Sequence, residues 1–387
     1  MTSSLTAAPF TPSAPDAQAR AETKTAGRIG FVHQNDVFGM QGGIERYVST
    51  ILSFAGGRAA LASPPVSRGG APHFAAPVRG PEAAPQWLRF LLGLFARRRA
   101  FRAWLKAEAI GVLDYSRPEY ALLAWMFPGK RVFTIHGTGP GPGHRAHRLL
   151  HDACCFLLPL LADRVQVVGR DPSGLPRPVR ALLGARLVHI DAWHDECFAP
   201  RPLPPTDGAL KVFYAGRLAA QKNPELLFEI LREAERTAPG AFEFHYFGSD
   251  YAAFVQAGLG DAVHDHGFLG PQALAEAIGA CHFGLLCSAY GEGSPYILIE
   301  SLACGRPFVV SALPTLTAAY EGKIGVRFVA RQAAADFVAA MLDLARSIRE
   351  GALDPDAVAA QVRAQAQSRA VPALLDALSR LEAPRPC

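Results

Sequence analysis

No apolar stretch in this chain runs uninterrupted for as many as about 18 residues, so no membrane-crossing helix is expected. The start carries no basic residues followed by an apolar run, which argues against a secretory leader. Residues 1–27 are instead rich in Ala, Pro, Ser and Thr and are expected to form a disordered tail. The seven cysteines, at 154, 155, 197, 281, 287, 304 and 387, are odd in number and show no zinc spacing. That fits the reduced thiols of a cytoplasmic protein, not a disulfide frame. Neither a Ser-His-Asp order nor an internal repeat is evident.

Half of the 387 residues are hydrophobic, enough for the cores of two or three domains. The net charge of +5 is unevenly spread, with +9 on residues 1–200 and −4 on the rest. A basic first half suits an acidic partner; no nucleic-acid partner is expected. Apolar runs at Arg28–Val32, Val112–Leu113, Arg131–Ile135 and Arg164–Val168 read as buried strands. Helical patterns at 44–52, 87–109 and 144–161 separate them, and residues 56–86, rich in Gly, Ala and Pro, read mostly as loop or weak strand. After the Pro-rich 200–205 the alternation restarts. Strands are expected at 211–215, 242–247, 283–286 and 308–311, with helices at 224–236, 271–279 and 295–303. The expected fold is α/β, two doubly wound Rossmann-like domains over 28–199 and 206–365 facing each other across a cleft. Two helical patterns follow, at 355–366 and 371–382.

The most informative segment is Ser288-Ala289-Tyr290-Gly291-Glu292-Gly293-Ser294-Pro295-Tyr296-Ile297-Leu298-Ile299-Glu300. Ser294 is placed to cap a helix and Pro295 to open it. Glu292 then lies in the loop before the helix and Glu300 about a turn and a half inside it. Backbone amides around Tyr296 would point out of the helix N-terminus, making an anion site between two carboxylates. Arg217 and Lys222 flank a second helix start, with Asn223 as its cap and Pro224 as its first residue. Two cations at a helix N-terminus suit a diphosphate. Read alone, both are ordinary solvated surface charges.

The Glu-x7-Glu spacing resembles the signature of retaining glycosyltransferases of the GT-B fold, family four, the group 1 glycosyl transferases. Ser301-Leu302-Ala303-Cys304-Gly305-Arg306-Pro307-Phe308-Val309-Val310-Ser311 resembles that family's continuation of the motif. Tyr214-Ala215-Gly216-Arg217-Leu218 through Lys222-Asn223-Pro224 resembles its donor-phosphate block. Gln41-Gly42-Gly43-Ile44-Glu45-Arg46 is similar to its N-terminal Gly-Gly loop, and Thr134-Ile135-His136-Gly137 to its strand-end His. The likeness covers roughly 28–365 in the family's order. Two segments depart: Ile190-Asp191-Ala192-Trp193-His194-Asp195 stands where the family has an Asn-Gly-Val-Asp turn, and Leu313-Pro314-Thr315 where it has Gly-Gly.

The resemblance implies a nucleotide-sugar donor as substrate, with no cofactor and no metal, since Arg217 and Lys222 stand in for one and no Asp-x-Asp lies near the site. It implies donor contacts from Gly42, Gly43, Gly216, Arg217, Lys222, Gly293, Ser294, Pro295, Tyr296 and Glu300, the last on the ribose. Glu292 would contact the donor sugar near its 3-hydroxyl and His136 the donor sugar and leaving phosphate. Residues 366–387 would return to the first domain. The expected activity is transfer of a sugar to a glycan or lipid-linked acceptor, in polysaccharide or lipopolysaccharide synthesis at the inner face of the cytoplasmic membrane. An epimerase or phosphorylase of the same fold, or a non-catalytic nucleotide-sugar-binding module, stays open at this point.

Three further features lie outside those blocks. The run from His136 to Gly143 mimics a phosphate loop, but Pro140 and Pro142 remove two donors, so a cleft loop is expected. His144, His147 and His151 share a helical face and read as a basic surface ahead of a metal site. The segment 87–106 has Trp87, Phe90, Phe95 and Trp104 among six basic residues and no acid. It suits an anionic membrane surface or, equally, a core helix with outward arginines.

Overall fold

A computed structural model describes residues 27–39, 42–67, 69–137 and 145–381. Nearly all of the expected tail, most of the loop after His136, His144 and the last six residues lie outside the described residues.

Two parallel sheets organise the chain. The first contains β1 Arg28–Val32, β2 Ala59–Ser63, β3 His73–Ala75, β4 Ile110–Tyr115, β5 Lys130–His136, β6 Arg164–Val168 and β7 Leu187–Ile190, in the order β3-β2-β1-β4-β5-β6-β7. The second contains β8 Leu210–Ala215, β9 Phe242–Phe247, β10 Val263–Asp265, β11 Phe283–Leu286, β12 Phe308–Ser311 and β13 Val326–Val329, in the order β10-β9-β8-β11-β12-β13. Strand order reverses between β1 and β4 and again between β8 and β11. In open parallel sheets such reversals leave crevices at the carboxyl ends of the strands, where ligands bind. The α/β fold with two doubly wound domains is therefore the observed one.

Alternation along each strand sends neighbours to opposite faces. Phe31 joins one buried cluster with Tyr47, Val48 and Ile51 of the helix Gly43–Phe54. Val32 joins another with Phe90, Phe101, Leu158 and Val179. That second cluster lies under the helices Gln86–Ala96, Arg98–Ala107, Arg145–Leu161 and Arg177–Leu183.

Three expectations change. The stretch 56–86 holds two strands, and all five residues of β2 are buried, because short Ala and Ser side chains fit a central strand without a bulky apolar signal. The helix expected at 87–109 breaks at Arg97, whose ψ of 18° is not helical. Trp87 and Phe90 of the basic-aromatic segment are 5% and 0% exposed and pack into the core, with Trp104 half-buried. Phe101 is buried as well, so of the segment's five aromatics only Phe95 faces outward, under the Arg98 guanidinium at 4.8 Å.

The unfamiliar segment 190–195 stitches the chain together. Trp193 is buried and stacks on Tyr47 at 4.8 Å. His194 pairs with the C-terminal segment: its amide donates to Gln365, and its carbonyl accepts from Gln367. The helix Gln367–Ser379 then packs on Gly43–Phe54 and β1.

Candidate active site

The loop after β8 turns at Gly216, whose φ of 126° lies in the left-handed region that favours glycine. It is tied down by Tyr246 Oη, which donates to the Gly216 carbonyl at 3.0 Å, and by Asp250, which accepts from the Leu218 amide at 2.7 Å. Arg217 is exposed on this loop and makes no hydrogen bond or ion pair among the described residues. Lys222 instead reaches Glu292, with Nζ–Oε1 at 2.6 Å. The same carboxylate oxygen accepts from Ser288 Oγ at 2.6 Å, and Glu292 is 5% exposed. Asn223 does precede the helix Pro224–Thr237, but in the left-handed conformation, and its side chain donates to Gln332 instead of capping.

Ser294 is not the cap of the following helix. That helix runs Tyr296–Ala303 with Pro295 in the cap position and no side-chain cap. Ser294 comes one residue too early, and its hydroxyl accepts from the Ala192 amide of the first domain at 3.3 Å. Gly293 sits where the two domains touch: a Cβ there would lie 2.9 Å from the Val168 carbonyl and 3.2 Å from the Gly137 amide. The loop carrying Glu292 therefore rests on the carboxyl ends of β5 and β6.

The start of the helix Gly43–Phe54 faces the start of Tyr296–Ala303. A Cβ on Gly43 would lie 3.8 Å from the Tyr296 ring, Gly42 occupies the cap position, and neither helix has a side-chain cap. Two uncapped N-termini thus converge, with partial positive charge at each. One turn along, Arg46 bonds Glu300 at 2.5 Å and lies over the Tyr296 ring at 4.3 Å. Glu300 is 2% exposed, so its charge is met by a cation from the other domain. Burial works against the Arg46 charge, yet Glu300 beside it holds the guanidinium above its ordinary pKa.

His136 ends β5 with its ring edge-on to Tyr47 at 5.0 Å and its Nε2 without a partner among the described residues. Burial, with His33 nearby, pushes its pKa down to about 3, so the ring is neutral near pH 7. Behind it lies a polar network. His33 bonds Ser116 at 2.9 Å and Glu45 at 3.1 Å, and Asn35 donates to Glu45 at 2.6 Å. Burial opposes the Glu45 charge, but His33 and Asn35 outweigh it and hold the carboxyl at about 2. Asp114 accepts from Thr134 at 2.8 Å; burial pushes its carboxyl up to about 7.

The structure thus brings Glu292, Lys222, Glu300, Tyr296, Gly42, Gly43, Gly293 and His136 to the contact between the two domains, while Arg217 stands exposed on the loop after β8. Arg46, Glu45, His33 and Asp114 were not singled out from the sequence. Glu45 and Arg46 come just after the Gly-Gly pair, past Ile44, so that pair was their signal; nothing in the sequence ties Asp114 to the cleft. His147 and His151 are not a basic surface: both bond the fully buried Glu119, at 3.1 and 3.2 Å, together with Arg117.

Residues 209–347 match the family profile described as glycosyl transferases group 1. No curated protein matches the chain. Among solved structures, sucrose-phosphate synthase from Thermosynechococcus elongatus is 18% identical, with a TM-score of 0.64 over 92% of this chain and 96% of that one. HepE from Anabaena, solved with UDP-glucose, is 13% identical, with a TM-score of 0.68 over 91% and 99%. WaaG, a glycosyltransferase involved in lipopolysaccharide biosynthesis, is 11% identical, with a TM-score of 0.66 over 90% and 99%. At these identities the likeness is one of fold. The second domain thus matches the profile of the group 1 glycosyl transferases, and with two facing parallel sheets throughout the chain has the GT-B fold of these structures.

Proposed function

We propose that this protein is a retaining hexosyltransferase that moves a sugar from a nucleoside diphosphate sugar to a glycan or lipid-linked acceptor. The observation that carries the reading is the cationic end of β8. There Lys222 is bound to Glu292, in the loop that rests on the carboxyl ends of β5 and β6 beside two uncapped helix N-termini and a neutral His136, and Arg217 is exposed on the same β8 loop as Lys222. HepE was solved with UDP-glucose, which supports a nucleotide-sugar donor. The role of WaaG in lipopolysaccharide biosynthesis supports an envelope glycan as the product.

In this reading Arg217 and Lys222 bind the donor diphosphate. As the bond from C1 to the phosphate oxygen breaks, negative charge grows on the leaving group, and both cations stabilise it more than the ground state. The acceptor oxygen bonds C1 on the same face, and its proton passes to the departing phosphate. His136, neutral and with Nε2 open, hydrogen-bonds the donor sugar or the leaving phosphate. Glu292 accepts from a sugar hydroxyl, and Glu300 from the ribose hydroxyls. The Gly42–Gly43 turn and the 293–296 segment frame the diphosphate. The positive charge comes from side chains, so activity is expected to persist in EDTA.

A panel of UDP-, GDP- and ADP-sugars tests the reading, with diphosphate release measured with and without lipopolysaccharide core or polyprenyl-linked sugar. One donor should be consumed, faster with acceptor, and NMR of the product should show the donor's anomeric configuration kept. No donor consumed would reject transfer; an inverted product would reject retention.

A further inference from the structure

The helices that cover the outer face of the first sheet have an unusual outer surface. Along Arg145–Leu161 the inward positions Cys154, Cys155 and Leu158 are buried. The outward ones would be polar on an ordinary solvated helix. Here they are Leu149, Ala153, Phe156 and Leu160, spaced four, three and four apart on one face, with Leu149 72%, Phe156 49% and Leu160 81% exposed. The neighbouring helices continue the pattern with Trp125 at 62%, Leu182 at 64% and Phe95 at 47%. Nine of the twelve large apolar side chains exposed among the described residues lie in or beside this one layer, so scatter does not account for them.

The charge on the layer has one sign. The segments 86–107, 145–161 and 177–183 carry ten Lys and Arg and one acid, Asp152. Arg97, Arg99, Arg102 and Arg177 are exposed there. Two contacts interleave the cations with the apolar residues. Arg102 donates to the Met126 carbonyl at 2.7 Å, beside Trp125. Arg186 donates to the carbonyls of Pro159 and Leu182, which joins the Leu160 and Leu182 ends of the surface. A second copy of this chain fits such a face poorly, because ten cations would meet ten cations. An anionic lipid surface fits both components: acyl chains take the apolar side chains one by one, and lipid phosphates take the arginines.

We propose that this helical layer docks on an anionic lipid bilayer, with Leu149, Phe156 and Leu160 as the apolar anchors. The proposal deepens the lipid-linked acceptor of the reading above. It differs from the sequence expectation in its anchors, since Trp87 and Phe90 are core.

Cosedimentation of the full chain with phosphatidylcholine vesicles, with or without phosphatidylglycerol, tests it in the absence of donor. The chain should bind only the phosphatidylglycerol vesicles and leave them as salt rises. The double variant F156S/L160S should bind at least tenfold more weakly at low salt, and R97A/R99A/R102A several-fold more weakly. F156S/L160S should keep the wild-type melting temperature, and both variants should keep donor hydrolysis in solution. No vesicle binding by the wild type, or wild-type binding by F156S/L160S, would overturn the proposal. So would a dimer in solution that F156S/L160S dissolves, which would assign the face to a second copy. Donor hydrolysis is read separately, so loss of one result leaves the other standing.

Discussion

Lys222 and Arg217 leave different things behind when removed. Arg217 has no partner, so Arg217→Ala should melt like the wild type. Lys222→Ala strips the cation from Glu292, which is 5% exposed, and should lower the melting temperature as well. Both should lose about 2–4 kcal/mol of transition-state stabilisation, roughly thirty- to thousandfold in kcat/KM. Near wild-type turnover in both would reject the phosphate role. Two buried groups make opposite pH demands. Burial holds His136 near 3 against an ordinary 6.5, so the unfolded chain binds more protons between those values and stability falls as pH drops below 6.5. Burial raises Asp114 to about 7 from 3.8, so the folded chain binds more protons there and stability falls as pH rises through that window. Asp114→Asn keeps an acceptor for Thr134 without the charge. Its gain in melting temperature over wild type should be larger at about pH 8 than at about pH 5; equal gains would remove burial as the cause. Glu292 and Lys222 were legible because each sits in a contiguous motif. Asp114 was not, since its environment is assembled from β4 and β5, and burial cannot be read from one residue.

Among elements, the domain contact concentrates in the 292–300 segment. Glu300 meets Arg46 from the helix Gly43–Phe54, while Glu292 meets Lys222 within its own domain. If Glu300 holds the ribose and Glu292 the sugar, free UDP should bind Glu300→Ala at least tenfold more weakly and Glu292→Ala nearly normally. Arg46→Ala controls for the bared guanidinium, and calorimetry giving the reverse order would reject the division. Long apolar strands such as β1 and β8 were visible from composition alone. β2 was not, because Ala59–Ser63 has one bulky side chain, Leu61, among Ala and Ser, and β3 is three residues long. The cap at Ser294 failed for a local reason: its hydroxyl has a partner in the other domain at Ala192, an interaction that sequence neighbours do not reveal.

At the scale of the molecule, the last helix belongs spatially to the first domain. Val371, Leu374, Leu375 and Leu378 are 0%, 8%, 0% and 0% exposed and join the cluster that contains Val48, Ile51 and Leu52. Arg164 donates to the Ala377 carbonyl, and Arg58 pairs with Asp376 at 3.4 Å, so strand β6 and the loop before β2 also meet this helix. Each buried aliphatic side chain contributes about 1.5–3 kcal/mol. Four of them amount to a large share of a margin of about 5–15 kcal/mol for a domain. The helix also closes a loop through the second domain, so losing it frees the two domains to separate as well as baring an apolar face. A chain ending after residue 365 should therefore aggregate or melt well below the full chain, with protease cutting first in the first domain. The milder Leu375→Ala, Leu378→Ala double variant keeps the backbone pairing at His194. It should lower the melting temperature of the first domain while binding of the nucleoside diphosphate, proposed for the second, stays within about twofold. A double variant that melts like the wild type would show that the helix is not part of the first domain's core.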